Sequence, residues 1–205
     1  MLYMRVYRPR FTVIFIALCV TISILGTLSP ILQSNFRKLS FTPAYAFSKP
    51  WTFVTSIFLH ADIFPNGDFL HIFWNMFALF MFGTFLESRI GPKNFLAVFF
   101  LAGILGNFAY FALAPNSKIP AVGASGAIFG IIGTLAILYP RLVVWMGLMP
   151  MPIIFAAFIW AIISFIGIFT AGGGIAHEAH LAGLLFGGLY GFYLRKKMLY
   201  RRMVV

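Results

Sequence analysis

Apolar runs about 20 residues long recur along the chain with almost no charge inside them. A run of that length crosses a hydrocarbon core of ~30 Å as a helix, and it leaves little polar surface with which to build a soluble globule. The composition agrees: 61% of the 205 residues are apolar and 9% are charged, where soluble domains carry about a quarter charged residues. Mean hydropathy is +0.97. The sequence therefore predicts a polytopic, all-α membrane protein. The formal charge of +11 does not point to nucleic acid, because the basic residues cluster at the ends of apolar runs. That placement sets topology and contacts lipid headgroups. The single cysteine, Cys19, lies inside an apolar run, so the chain offers neither a disulfide nor a thiolate metal cluster.

Six spans are expected, at about 11–30, 68–88, 94–114, 122–139, 150–169 and 177–194. Together they form one six-helix domain over 1–205, with a membrane-associated first loop at 31–67 and a basic tail at 195–205. Arg5, Arg8 and Arg10 ahead of the first run resemble a signal peptide. The run is too long for a signal core and lacks a small-x-small cleavage site, so a retained helix is expected. Pro150 and Pro152 suggest that the fifth helix has an interfacial start. With the N-terminus inside, eleven Lys and Arg fall on the inner side. Only Arg37, Lys38, Lys49 and Lys118 fall outside. The bias predicts cytoplasmic termini in a plasma or inner membrane.

Polar residues inside spans are costly and become candidates for function. Asn75 lies fourteen residues before Arg89, Ser125 sixteen before Arg141, and His180 fifteen before Arg195. At 1.5 Å per residue all three stand roughly 21–24 Å above the inner charged boundary, on helices of one orientation. An amide, a hydroxyl and an imidazole at one depth can form a composite site open toward the outside. Ser125 in GASGAIFG has a bland reading as a packing residue, since Gly126 and Gly130 form a small-xxx-small face. Gly183 and Gly187 form a second face after His180. Two such faces bring helices close, and close approach is what places a hydroxyl within reach of a base.

Ser125 is thus the expected nucleophile and His180 its general base. Glu178 points to another side of its helix, Asp62 and Asp68 belong to the outer loop, and Glu87 lies near the inner face, so a dyad is expected. Phe129, one turn after Ser125, is placed to pack on the imidazole. His71 and Asn75 share a helical face, and the Asn75 amide with the Ser125 backbone N–H provides oxyanion donors. His60, His71, Asn75 and His177 are expected to line a route for water. GASGA is not the G-x-S-x-G elbow, and HEAH is one residue short of H-E-x-x-H. Three other readings remain: a metal held by His71, His177 and His180, a transporter or channel, and a non-catalytic binder of transmembrane helices.

Ser125 in GASGAIFG, His180 in AHLAGLLFG and His71-x-x-x-Asn75 in HIFWN, taken in order, resemble the rhomboid family of intramembrane serine proteases. The resemblance runs from Trp51 through the sixth span and includes Gly83, Glu87 and Arg89. It implies a six-helix core that cleaves transmembrane protein substrates in the lipid bilayer without a cofactor or metal. Ser125 is then the nucleophile, His180 the base, and His71 and Asn75 belong to the oxyanion region. Gly123 and Gly126 support the serine, and Gly183 and Gly187 pack against its helix. Many members carry Trp-Arg in the first loop; this chain has Trp51-Thr52.

Overall fold

The computed structural model describes residues 7–60, 69–170 and 175–203, with side chains to residue 200. Arg5, Asp62 and Asp68 fall outside them. The order is α1 (Arg10–Leu28), α2 (Pro30–Arg37), α3 (Thr52–Thr55), α4 (Phe69–Ala78), α5 (Thr84–Leu113), α6 (Ser125–Leu138), β1 (Val143–Met146), β2 (Met149–Pro152), α7 (Ile153–Phe169) and α8 (His177–Met203). Arg10–Leu28 and the joined stretch Phe69–Leu113 are long and apolar enough to cross a membrane; α6 and α7 are shorter apolar helices. α8 continues through the basic residues of the predicted tail as far as Met203.

α6 is the axis of the bundle. Ten of its fourteen residues are buried, and α5 and α8 pack along it, with α7 against both α8 and α6. Small residues permit this: Gly126, Ala127, Gly130 and Gly133 on α6 leave at most a methyl group to hold neighbours away. Outside this centre, Phe77, Phe155, Phe158 and Leu189 are exposed. Such an outer face suits hydrocarbon better than water.

α4 passes into α5 through a π-turn at Leu79–Gly83. α5 then breaks at Gly91, whose φ of 78° and ψ of 166° are not helical, and Pro92 restarts it where a missing N–H costs nothing. The ring of Tyr7 lies on Gly91, 3.0 Å from where a Cβ would stand.

α1 is tied down by a buried carboxylate. Glu87 Oε1 accepts from the backbone N–H groups of Arg10 and Phe11 at 3.0 and 2.9 Å. Glu87 Oε2 accepts from Thr12 N and Thr12 Oγ1 at 2.8 and 2.7 Å. These are the first donors of α1, which have no intrahelical acceptor, and the positive end of the helix favours an anion. Farther along α1, the Phe15 ring packs 4.5 Å from that of Phe99 on α5.

Two expectations need correction. Residues 143–152 form an antiparallel hairpin pairing Val143 with Pro152 and Met146 with Met149, so the chain is not wholly helical. Gly147 turns it with φ 64°, and a two-stranded ribbon has free edges that tolerate Pro150 and Pro152. The fourth helix starts at Ser125, three residues later than expected, because Gly123 has φ 124°. At fourteen residues α6 is about 21 Å long, short of a ~30 Å core.

Candidate active site

Ser125 opens α6, where backbone N–H groups point forward without an acceptor and the dipole is positive. The approach is built around Gly123. Its N–H donates to the Ser56 carbonyl at 3.0 Å, and a Cβ on it would stand 3.0 Å from His71 Cε1. Both the positive φ and the close ring call for glycine.

His180, in the first turn of α8, places Nε2 2.8 Å from Ser125 Oγ. The Phe129 ring lies parallel to the imidazole, with centroids 4.4 Å apart and planes 8° apart. Trp160 of α7 meets Phe129 edge-on at 6.0 Å, and His177 meets His180 edge-on at 6.2 Å. The imidazole is thus held by rings; among the described residues no carboxylate bonds it.

The contact between α6 and α8 sets this distance. A Cβ on Gly183 would overlap the Gly126 carbonyl oxygen, and one on Gly187 would overlap that of Gly130. The Thr134 hydroxyl lies 2.9 Å from the carbonyls of Gly130 in its own helix and Gly187 across the interface. Gly183 and Gly187 follow His180 by one and two turns, so the backbone contact continues the face that carries the imidazole.

His71 and Asn75 stand on α4. The His71 ring packs against Gly123 and lies 5.4 Å from that of His60. Asn75 Nδ2 donates to the His71 carbonyl at 2.8 Å, a bond within its own helix. The amide keeps a second N–H. Among the described residues, four buried side-chain polar atoms lack a protein partner: both ring nitrogens of His60, Asn75 Oδ1 and His177 Nδ1. Burial, and next His71, pushes the His60 imidazole down to about 3, so it is neutral.

Several supports are not evident from the sequence reading above. Asn107 Nδ2 donates to the Phe53 carbonyl and to Ser56 Oγ, both at 2.9 Å. It fixes the short helix α3 and the residue that holds Gly123. An amide in a predicted span is the same signal that singles out Asn75. Thr52 donates through its hydroxyl to the Lys49 carbonyl at 2.6 Å, and Lys49 Nζ lies 5.6 Å from the Tyr45 ring centre. Among the described residues no three His, Cys, Asp or Glu side chains form a group able to hold a metal ion.

Residues 48–197 match the Rhomboid domain family. The mitochondrial Rhomboid protein 1 of Saccharomyces cerevisiae is 33% identical over 154 residues, covering 70% of this chain and 44% of that protein. The rhomboid protease GluP of Bacillus subtilis is 33% identical over 132 residues, 62% of this chain and 24% of its own length. The inactive RHOMBOID-like protein 8 of Arabidopsis thaliana is 33% identical over 85 residues, 42% of this chain and 22% of its own. The chain thus spans less than half the length of each of these relatives. With the family match extending over most of the sequence, the chain belongs to the rhomboid family of membrane proteins.

Proposed function

We propose that the protein is an intramembrane serine endopeptidase that hydrolyses peptide bonds in or near transmembrane segments of membrane-protein substrates. The observation that carries this reading is the 2.8 Å contact between Ser125 Oγ and His180 Nε2. A serine hydroxyl needs a base to become a nucleophile, and Nε2 serves when the proton of the neutral ring sits on Nδ1. His180 takes the hydroxyl proton as Oγ attacks the scissile carbonyl, then returns it to the leaving amine, leaving an acyl-enzyme on Ser125. Water hydrolyses the ester with His180 again as base. The Ser125 N–H and the remaining Asn75 N–H, assisted by His71, receive the oxyanion. The unpartnered polar atoms of His60, Asn75 and His177 support a route for that water, since such groups hold ordered water in buried sites. The substrate helix must unwind locally, because its carbonyls are otherwise occupied.

In this reading six helical segments cross the bilayer. The eleven-to-four distribution of basic residues supports cytoplasmic termini and a site open toward the outside. The short α6, which begins at Ser125, supports a site below the far surface. Purified protein is expected to cleave a transmembrane peptide and to react with a fluorophosphonate probe at Ser125. Ser125→Ala and His180→Ala each abolish cleavage, and Asn75→Ala lowers the rate about 10²–10³-fold. Full activity in Ser125→Ala refutes the assignment. An intact protein that the probe does not label is a binder of transmembrane helices, as the relative named inactive makes pertinent.

A further inference from the structure

All four cations assigned to the outer side, Arg37, Lys38, Lys49 and Lys118, line one cleft of about 390 Å³. Ser34 and Thr42 add hydroxyls, and among the described residues no carboxylate lines the cleft. Lys38 Nζ donates to Asn35 Oδ1 at 3.0 Å, and Lys49 rests on Tyr45. Four like charges around one small volume repel each other unless an anion enters. The volume lies at the small end for ligand sites, which suits a headgroup rather than an acyl chain.

The walls of the cleft are braced. Phe41 and Ala121 exchange backbone bonds at 3.1 and 2.7 Å, and Ala44 N donates to the Ser117 carbonyl at 3.0 Å. Lys118 and the α2 cations are thus held by one frame, and Ala121 leads within four residues to Ser125. Around the cleft the apolar side chains are bare: Phe47 is 88% exposed, Ile31 75% and Trp51 51%. Bare aromatics beside cations mark the level at which hydrocarbon gives way to headgroups.

We infer that this cleft binds the phosphate of an anionic phospholipid and, through the Phe41–Ala121 pair, steadies the segment that enters α6. The inference rests on the membrane placement proposed above and not on catalysis. It is therefore tested on Ser125→Ala protein, where a failure of proteolysis has no effect on the readout. Phosphatidylglycerol, phosphatidylcholine and inorganic phosphate are titrated separately into the detergent-solubilised protein. Bound lipid is counted by native mass spectrometry and thermal unfolding is followed in parallel. Saturable retention of phosphatidylglycerol and a rise in Tm are expected, with affinity reduced at least tenfold by Arg37→Gln, Lys49→Gln and Lys118→Gln together. The matching changes at Arg195, Lys196 and Lys197 leave it intact. Equal retention of phosphatidylcholine, or loss only with the second set, overturns the inference. An equal Tm rise with inorganic phosphate alone assigns a free-anion site instead and overturns the lipid. So does binding of a Glu-rich peptide where phosphatidylglycerol fails to bind, which assigns the cleft to an acidic polypeptide.

Discussion

Replacing Gly187 with alanine adds one methyl group where α8 lies against the backbone of α6. That methyl would overlap the Gly130 carbonyl oxygen and stand 2.6 Å from its carbon and 2.8 Å from its Cα. Ordinary contact begins at 3.4 Å, so even the Cα asks for about 0.6 Å more, and the oxygen asks for about 1 Å or beyond. Backbone atoms cannot swing aside as a side chain does, so the helices must part. Gly187 lies two turns from His180 on the same face. A separation of that size carries the 2.8 Å contact of His180 with Ser125 to the limit of a hydrogen bond. Misplacement by about 1 Å lowers a rate by about 10²-fold, and overpacking costs about 1–3 kcal/mol of stability. The assay is cleavage of a transmembrane peptide by Gly187→Ala, with thermal unfolding measured alongside. The control is the next residue: a Cβ on Gly188 meets nothing within 4 Å. Gly188→Ala should keep the rate and gain up to about 1 kcal/mol from helix propensity. Wild-type rate and stability in Gly187→Ala would refute the view that backbone contact sets the Ser125–His180 distance.

Glu87→Ala removes the acceptor of three backbone N–H groups and the Thr12 hydroxyl. It should cost about 3 kcal/mol or more, read as a lowered Tm in detergent, with Glu87→Gln intermediate. An unchanged Tm in Glu87→Ala removes the capping role. Phe129→Leu keeps apolar volume but loses the parallel ring on His180. An aromatic pair is worth about 0.5–1.5 kcal/mol, so kcat should fall up to about tenfold with KM little changed. An unaltered kcat means that the ring does not position the base.

How far the sequence reveals this arrangement differs from element to element. The pairing of α6 with α8 is legible because Gly126 and Gly130 recur at the spacing of Gly183 and Gly187, and backbone contact needs glycine on both helices. The hairpin at 143–152 is not legible. A strand is recognised by alternation of apolar and polar residues, and Val143–Met146 is apolar on both faces, so the period of two is erased. The late start of α6 goes with the positive φ of Gly123, and the His71 ring beside it comes from a distant segment. Glu87 reads as a boundary charge beside Arg89. Its partners in α1 are 75–77 residues away, and local pattern carries no trace of them.

That distance bears on how the chain is made. In the membrane placement proposed above, α1 leaves the ribosome and meets the bilayer ahead of Glu87. Until then its first three N–H groups have only water or headgroups to bond. The carboxylate arrives with the second hydrophobic segment, and α1 docks by closing a loop of that length. Insertion and docking are therefore separate events for α1. A nascent chain stopped before Glu87 lacks this carboxylate, whereas one long enough to bring Glu87 clear of the ribosome can latch α1. Residence of α1 against its neighbours is a matter of translation timing as much as of hydrophobicity.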